Sequence, residues 1–328
     1  MAHRTVLAEP AAEPAADHGG PRRPRHARAV GAAIWLLPPL VMAALGAWAV
    51  SRDYGLWYDE LYTAELARLP LGDLFSAVLH GDGPIPYLRD APPSYNGPYY
   101  AVVHLWLAVT GLQPDEWGLR LLSLLAAVGA VAAFAAAVRR LAGPAVALAA
   151  GIVIATNPFV LQFSAEARGY TLALLGVALA ALGLARWLDG RRRALLLYGA
   201  GAAAAGLAHW FALLVIGAFA LAAVALRRRR GVPLLVVSAV AALPALALVG
   251  TAMANGVGAS GVEWLRGVGG DVPRLVLRSW AGRNAVLLVL TVLLGAAGLI
   301  LGGRDRKEAR LVGAAWFAVP VAAVTGLE

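Results

Sequence analysis

Long apolar runs separated by short basic clusters make up most of the chain, and their lengths predict helices rather than strands. The run over residues 29–50 is long enough to span a bilayer, since about 20 residues rising ~1.5 Å each cross ~30 Å of hydrocarbon. Further runs predict crossings over 118–138, 144–163, 170–188, 232–250, 285–302 and 311–327. The stretch 194–226 is too long for one upright helix and predicts a hairpin turning near His209. By contrast, 99–112 is only fourteen residues and contains His104, so it reads as re-entrant or interfacial. The pattern describes an all-α, polytopic integral membrane protein with about nine transmembrane helices.

Two segments break the apolar rhythm. Residues 1–28 are polar and Pro/Ala-rich and read as a disordered cytoplasmic tail, leaving 29–328 as the transmembrane domain. Residues 51–97 form an acidic first loop, in which Leu61, Leu66, Leu69, Leu74, Phe75 and Val78 recur at helical spacing. That spacing predicts short helices lying along the membrane surface. Pro84, Pro86, Pro92, Pro93 and Pro98 stop any longer helix before Tyr99.

Composition confirms the solvent. With 60% hydrophobic and 14% charged residues and a mean hydropathy of +0.69, the 328 residues hold more apolar surface than a soluble core of this size could hide. The net charge of +9 comes from arginine clusters between apolar runs, the pattern of cytoplasmic loops rather than of a nucleic-acid binder. Placing Arg139–Arg140, Arg191–Arg193, Arg227–Arg230 and Arg304–Lys307 inside gives every helix a consistent direction, with the first loop outside. The absence of cysteine excludes disulfides and thiolate metal sites, and the preference for Arg over a single Lys307 points to a GC-rich bacterial genome. The plasma membrane of a bacterium is the expected location.

This topology carries three polar stretches to one outer face: Asp59-Glu60 in Trp57-Tyr58-Asp59-Glu60, the turn around Glu166-Ala167-Arg168-Gly169-Tyr170, and His209-Trp210-Phe211. Taken alone, the first is also what interfacial Trp and Tyr anchors in a solvated loop look like. Glu166 and Arg168, two apart, would not face each other on a regular helix, so both are free to address a third group. An arginine fork there suits a phosphate, with Glu166 orienting it or a substrate hydroxyl. No His-Glu-x-x-His pattern and no phosphate-cradling loop with Lys occurs, which removes a metalloprotease and a nucleotide-driven pump. The glycine-rich stretch 256–270 reads as an outer loop, with Glu263, Trp264, Arg266 and Asp271 as further substrate contacts.

In this order, Trp57-Tyr58-Asp59-Glu60-x-Tyr62-Thr63, Pro98-Tyr99-Tyr100-x3-His104-Leu-Trp106, Gln162-x-Ser164-x-Glu166-Ala-Arg168-x-Tyr170 and His209-Trp210-Phe211 resemble the polytopic GT-C glycosyltransferases, most closely their bacterial mannosyltransferase-like branch. The resemblance covers about residues 30 to 230. Asp90-Ala91-Pro92-Pro93 lacks the histidine of the family's usual Asp-x-His-Pro-Pro-type motif, and the chain is shorter than most members, so a C-terminal shortening is expected. The resemblance implies transfer of a sugar, mannose in that branch, from a polyprenyl-phosphate donor to an acceptor hydroxyl on a lipid, glycan or protein. It implies Asp59, or its neighbour Glu60, as general base, and Arg168 on the departing phosphate. Glu166, Tyr170, Tyr62, Tyr99, His104 and His209 would be substrate-binding. No cofactor is required; a divalent cation is compatible with these residues without being indicated by them. The rival from another class is a transporter or flippase of lipid-linked sugars.

Overall fold

The computed structural model describes residues 25–52, 55–80, 97–255, 289, 293 and 307–325, with side chains in the first helix from Leu36 onward. Expectations resting on residues 1–24, 81–96, 256–271 and most of 285–302 lie outside the described residues. The described chain is helical, with no strand. Its helices are α1 (Arg25–Arg52), α2 (Tyr58–Arg68), α3 (Leu71–His80), α4 (Gly97–Thr110), α5 (Glu116–Ala142), α6 (Pro144–Ala155) and α7 (Pro158–Ser164). There follow α8 (Tyr170–Leu188), α9 (Ala194–Ala208), α10 (Ala212–Arg227), α11 (Val232–Ala254) and α12 (Lys307–Thr325).

By length and apolar composition three stretches can cross a membrane, Glu116–Ala142, Tyr170–Leu188 and Ala212–Ala254, or four if a bent pair counts as one span. That bent pair occupies the crossing expected over 144–163, as a broken span or a re-entrant loop in which α6 and α7 meet at 59°. The cause is Asn157-Pro158. Pro158 lacks the N–H that would continue α6, and the Asn157 side chain accepts from Phe159 N at 2.9 Å and Val160 N at 3.2 Å, so a new helix starts there. The hairpin within 194–226 is present, its break falling at His209–Phe211 between α9 and α10. A second reversal separates α10 from α11 at Arg228, whose φ of 51° is strained for a residue with a side chain. The first loop does contain two short helices, α2 and α3, and 97–110 is one continuous short helix.

The helices pack through small residues. An added Cβ at Gly176 would meet Ala205 N at 2.5 Å, one at Gly183 would meet Tyr198 N at 2.6 Å, and one at Gly201 would meet Ala180 N at 2.6 Å. Thus α8 and α9 touch backbone to backbone, the small-residue seam of membrane helices. Gly176→Val forces these backbones apart, and an overpacked contact of this kind costs about 1–3 kcal/mol. The expected outcome is a lower thermal midpoint in detergent; an unchanged one would mean that the seam yields easily. Outside the seam, Leu196, Val240, Leu243, Leu246 and Val109 are exposed, an exterior suited to hydrocarbon rather than water.

The two ends of the helical bundle differ in chemistry. At one, Arg140 reaches Asp189 at 2.6 Å, Arg227 donates to Leu188 O at 3.4 Å, and Arg227 also pairs with Glu308. The arginine clusters after α5, after α8 and after α10 therefore gather together, as their spacing in the sequence predicts. At the other end lie the start of α5, the start of α8 and the end of α9. Along α5 alone, Arg120 and Arg140 are about 30 Å apart at ~1.5 Å per residue.

Candidate functional site

The first turn of α2 and the Ala165–Gly169 turn before α8 come together at the end away from the arginine clusters, held by a carboxylate that the sequence offers as a base. Glu60 has no exposure, and its carboxylate is filled. Oε1 accepts from Arg120 Nε at 2.9 Å and from Ala167 N at 2.7 Å, while Oε2 accepts from Arg120 Nη2 at 2.5 Å and from Trp57 N at 3.4 Å. Arg120, equally buried, also donates through Nη2 to Gly55 O at 2.7 Å. A buried ion pair survives in apolar surroundings only with such two-pronged geometry and its remaining lone pairs satisfied. Of the two carboxylates expected as alternatives for the general base, Asp59 or Glu60, Glu60 is the fully enclosed one, with both oxygens already accepting. Its geometry suits holding the turn.

Thr63, one turn further along α2 and also fully buried, completes the grip. Its Oγ1 donates to Ala167 O at 3.1 Å as well as to Asp59 O at 3.0 Å. Both backbone polar groups of Ala167 are therefore bound from α2. On the far side, an added Cβ at Gly169 would lie 2.5 Å from Ala208 O and 3.6 Å from Tyr99 Cβ, so only glycine lets this turn seat against α9 and α4.

With the turn fixed, its two flanking side chains are placed. Arg168 Nη1 lies 3.4 Å from Asp59 Oδ2, with the two side chains 16% and 31% exposed, so the pair is reachable from outside while backed by protein. The Arg168 guanidinium also stands 5.9 Å over the Tyr170 ring. From Tyr170 aromatic rings continue, with Phe163 at 4.4 Å on one side and His209 at 5.2 Å on the other, then Phe211 5.7 Å beyond His209. The convergence of Asp59, the 165–170 turn and His209 is present.

The remaining candidates take other positions. Glu166 Oε1 accepts from Gln162 Nε2 at 2.8 Å, so the end of α7 orients it. Tyr62, Tyr99 and Tyr100 are buried together, with ring centroids 6.0 Å apart from Tyr62 to Tyr100 and from Tyr99 to Tyr100. Burial, with Tyr100 and Tyr58 nearby, pushes the Tyr62 phenol above its ordinary range, so it stays a neutral hydroxyl. His104 Nδ1 faces Ala67 O at 2.9 Å; since a carbonyl only accepts, that nitrogen carries the proton and ties α4 to the last turn of α2. Burial, and then the Arg168 charge, push the His209 imidazole down from its usual value, so His209 is neutral at physiological pH and can serve as a hydrogen-bonding partner rather than a second cation.

The residues to which the sequence reading gives no role are Arg120 and Thr63. Arg120 had a signal: it is a lone charge inside the apolar run Leu119-Arg120-Leu121-Leu122, and an isolated charge at the start of a membrane helix needs a partner. Thr63 had none. Among the described residues no cluster of three or more His, Asp or Glu side chains is arranged to hold a metal ion. No protein-family model, no curated protein and no solved structure matches this chain.

Proposed function

We propose that the protein is a membrane glycosyltransferase that moves a sugar, mannose being the first to test, from a polyprenyl phosphate to an acceptor hydroxyl on the extracytoplasmic side. The observation that carries this reading is the part-exposed Asp59–Arg168 pair, 3.4 Å apart, at the end of an apolar bundle away from its arginine clusters. About nine crossings and outward placement of the site follow from the arginine pattern. A carboxylate and a guanidinium side by side suit the two charge changes of such a transfer. As the acceptor oxygen bonds to the anomeric carbon, its proton passes to Asp59. The bond from that carbon to the phosphate oxygen breaks with its electron pair, and Arg168 stabilises the phosphate that leaves. With Asp59 as the base beside Arg168, the step is a single displacement with inversion.

Before substrate arrives, Asp59 pairs with Arg168. A guanidinium has five N–H donors in a fork, so an incoming phosphate competes for it and frees the carboxylate for the acceptor. The test is transfer from radiolabelled polyprenyl-phosphate sugars by the protein in proteoliposomes, scored over several sugars. Arg168→Lys keeps the charge and loses the fork, so KM for the donor is expected to rise roughly 10- to 100-fold, the worth of a charged hydrogen bond or two. Normal transfer by both Arg168→Lys and Arg168→Ala would remove Arg168 from the reaction. Donor binding without transfer to any acceptor would instead favour a carrier of lipid-linked sugars.

A further inference from the structure

We infer that Glu60 and Thr63 are positioning residues for Arg168, acting through the backbone N–H and C=O of Ala167. Two adjacent residues of α2 meet two adjacent residues of the turn: Glu60 grips Ala167 while Asp59 faces Arg168. The grip is two-sided, with Ala167 N donating to Glu60 at 2.7 Å and Ala167 O accepting from Thr63 at 3.1 Å. With the N–H before its Cα and the C=O after it both bound, the two peptide groups that flank Ala167 are held against α2, so the Cα from which the Arg168 side chain departs is set relative to Asp59. Arg120 in turn fixes the Glu60 carboxylate through both oxygens. An ion pair that served only to join α2 to α5 would not need to spend its best-placed oxygen, at 2.7 Å, on a backbone N–H from a third segment. The arrangement is the organisation expected of a binding group whose supporting contacts, rather than its own flexibility, decide its aim.

This inference rests on the reading of Arg168 as the group that meets the donor phosphate. Its test is Thr63→Val, which keeps the shape of the side chain and removes the hydroxyl that donates to Ala167 O and, within α2, to Asp59 O. Two measurements run in parallel: steady-state transfer, and binding of polyprenyl monophosphate to the protein in nanodiscs, which reports on Arg168 without requiring transfer. A small misplacement of a binding group costs up to about 100-fold. Thr63→Val is therefore expected to weaken monophosphate binding and raise KM for the donor by roughly 10- to 100-fold, with the thermal midpoint nearly unchanged, and Thr63→Ser to restore both. If Thr63→Val does not fold, Glu60→Asp carries the same readouts, since it keeps the charge opposite Arg120 and draws the carboxylate back from Ala167. Wild-type binding without transfer would defeat the transferase reading and leave the positioning role to be decided by the binding arm. Thr63→Val or Glu60→Asp protein that binds monophosphate as the wild type does would overturn the inference, and a wild-type chain that binds none would overturn it together with the assignment of Arg168.

Discussion

Glu60→Ala protein is expected to reach the membrane poorly and to unfold early in detergent, because the substitution leaves the Arg120 charge buried without its partner. Both side chains are fully enclosed, so solvent cannot compensate. Breaking one half of a buried pair costs about 3–5 kcal/mol, a large part of the roughly 5–15 kcal/mol that holds a folded domain together. Removing both charges is a different perturbation. Glu60→Ala combined with Arg120→Leu discards the unpaired charge and should recover a good part of the loss, short of the wild type because Ala167 N then lacks its acceptor. The measurement is the thermal midpoint of purified protein followed by size-exclusion chromatography. A shift for Glu60→Ala corresponding to under about 1 kcal/mol, the worth of an exposed pair, would mean that water reaches this site.

Asp59→Asn should behave in the opposite way, keeping the fold and losing the chemistry. The Asp59 side chain is 31% exposed, and its pair with Arg168 spans 3.4 Å, a geometry whose contribution to stability is at most about 1 kcal/mol. The shape of the side chain is preserved while the proton acceptor is removed, so sugar transfer should fall by ~100-fold or more, the range of a positioned base. Donor binding should survive or strengthen, since Arg168 no longer has a carboxylate competing for it. Transfer at the normal rate by Asp59→Asn would exclude Asp59 as the base and with it the proposed chemistry of this pair.

What could be read in advance follows from how local each signal is. Apolar runs and arginine clusters act over a single helix, so the hairpin at His209, the short helices of the first loop and the gathering of basic ends were all legible. The bend before Pro158 was also written locally, in Asn157-Pro158, yet a count of apolar residues passes over it because both halves are equally apolar. The division of labour between Asp59 and Glu60 was not legible. Neighbours on a helix point in different directions, but which of them faces protein depends on Arg120, sixty residues on, and on the backbone of Ala167, which no side-chain pattern announces. The same holds for Thr63, present in the first motif but given its partner by a contact 104 residues away.

The bend between α6 and α7 has a consequence for depth. Twelve residues of α6 rise about 18 Å, and the seven of α7, inclined at 59°, add only about 5 Å more along the same axis. The pair thus covers about 23 Å where a bilayer core measures about 30 Å. A span that falls short thins the lipid around it, or else leaves its far end beneath the surface. The far end of this one is Ser164, next to the turn that carries Arg168. If the pair is one span with α6 upright, the turn that carries Arg168 stops short of the surface, and on the proposed function a polyprenyl phosphate would meet the guanidinium from within its own leaflet.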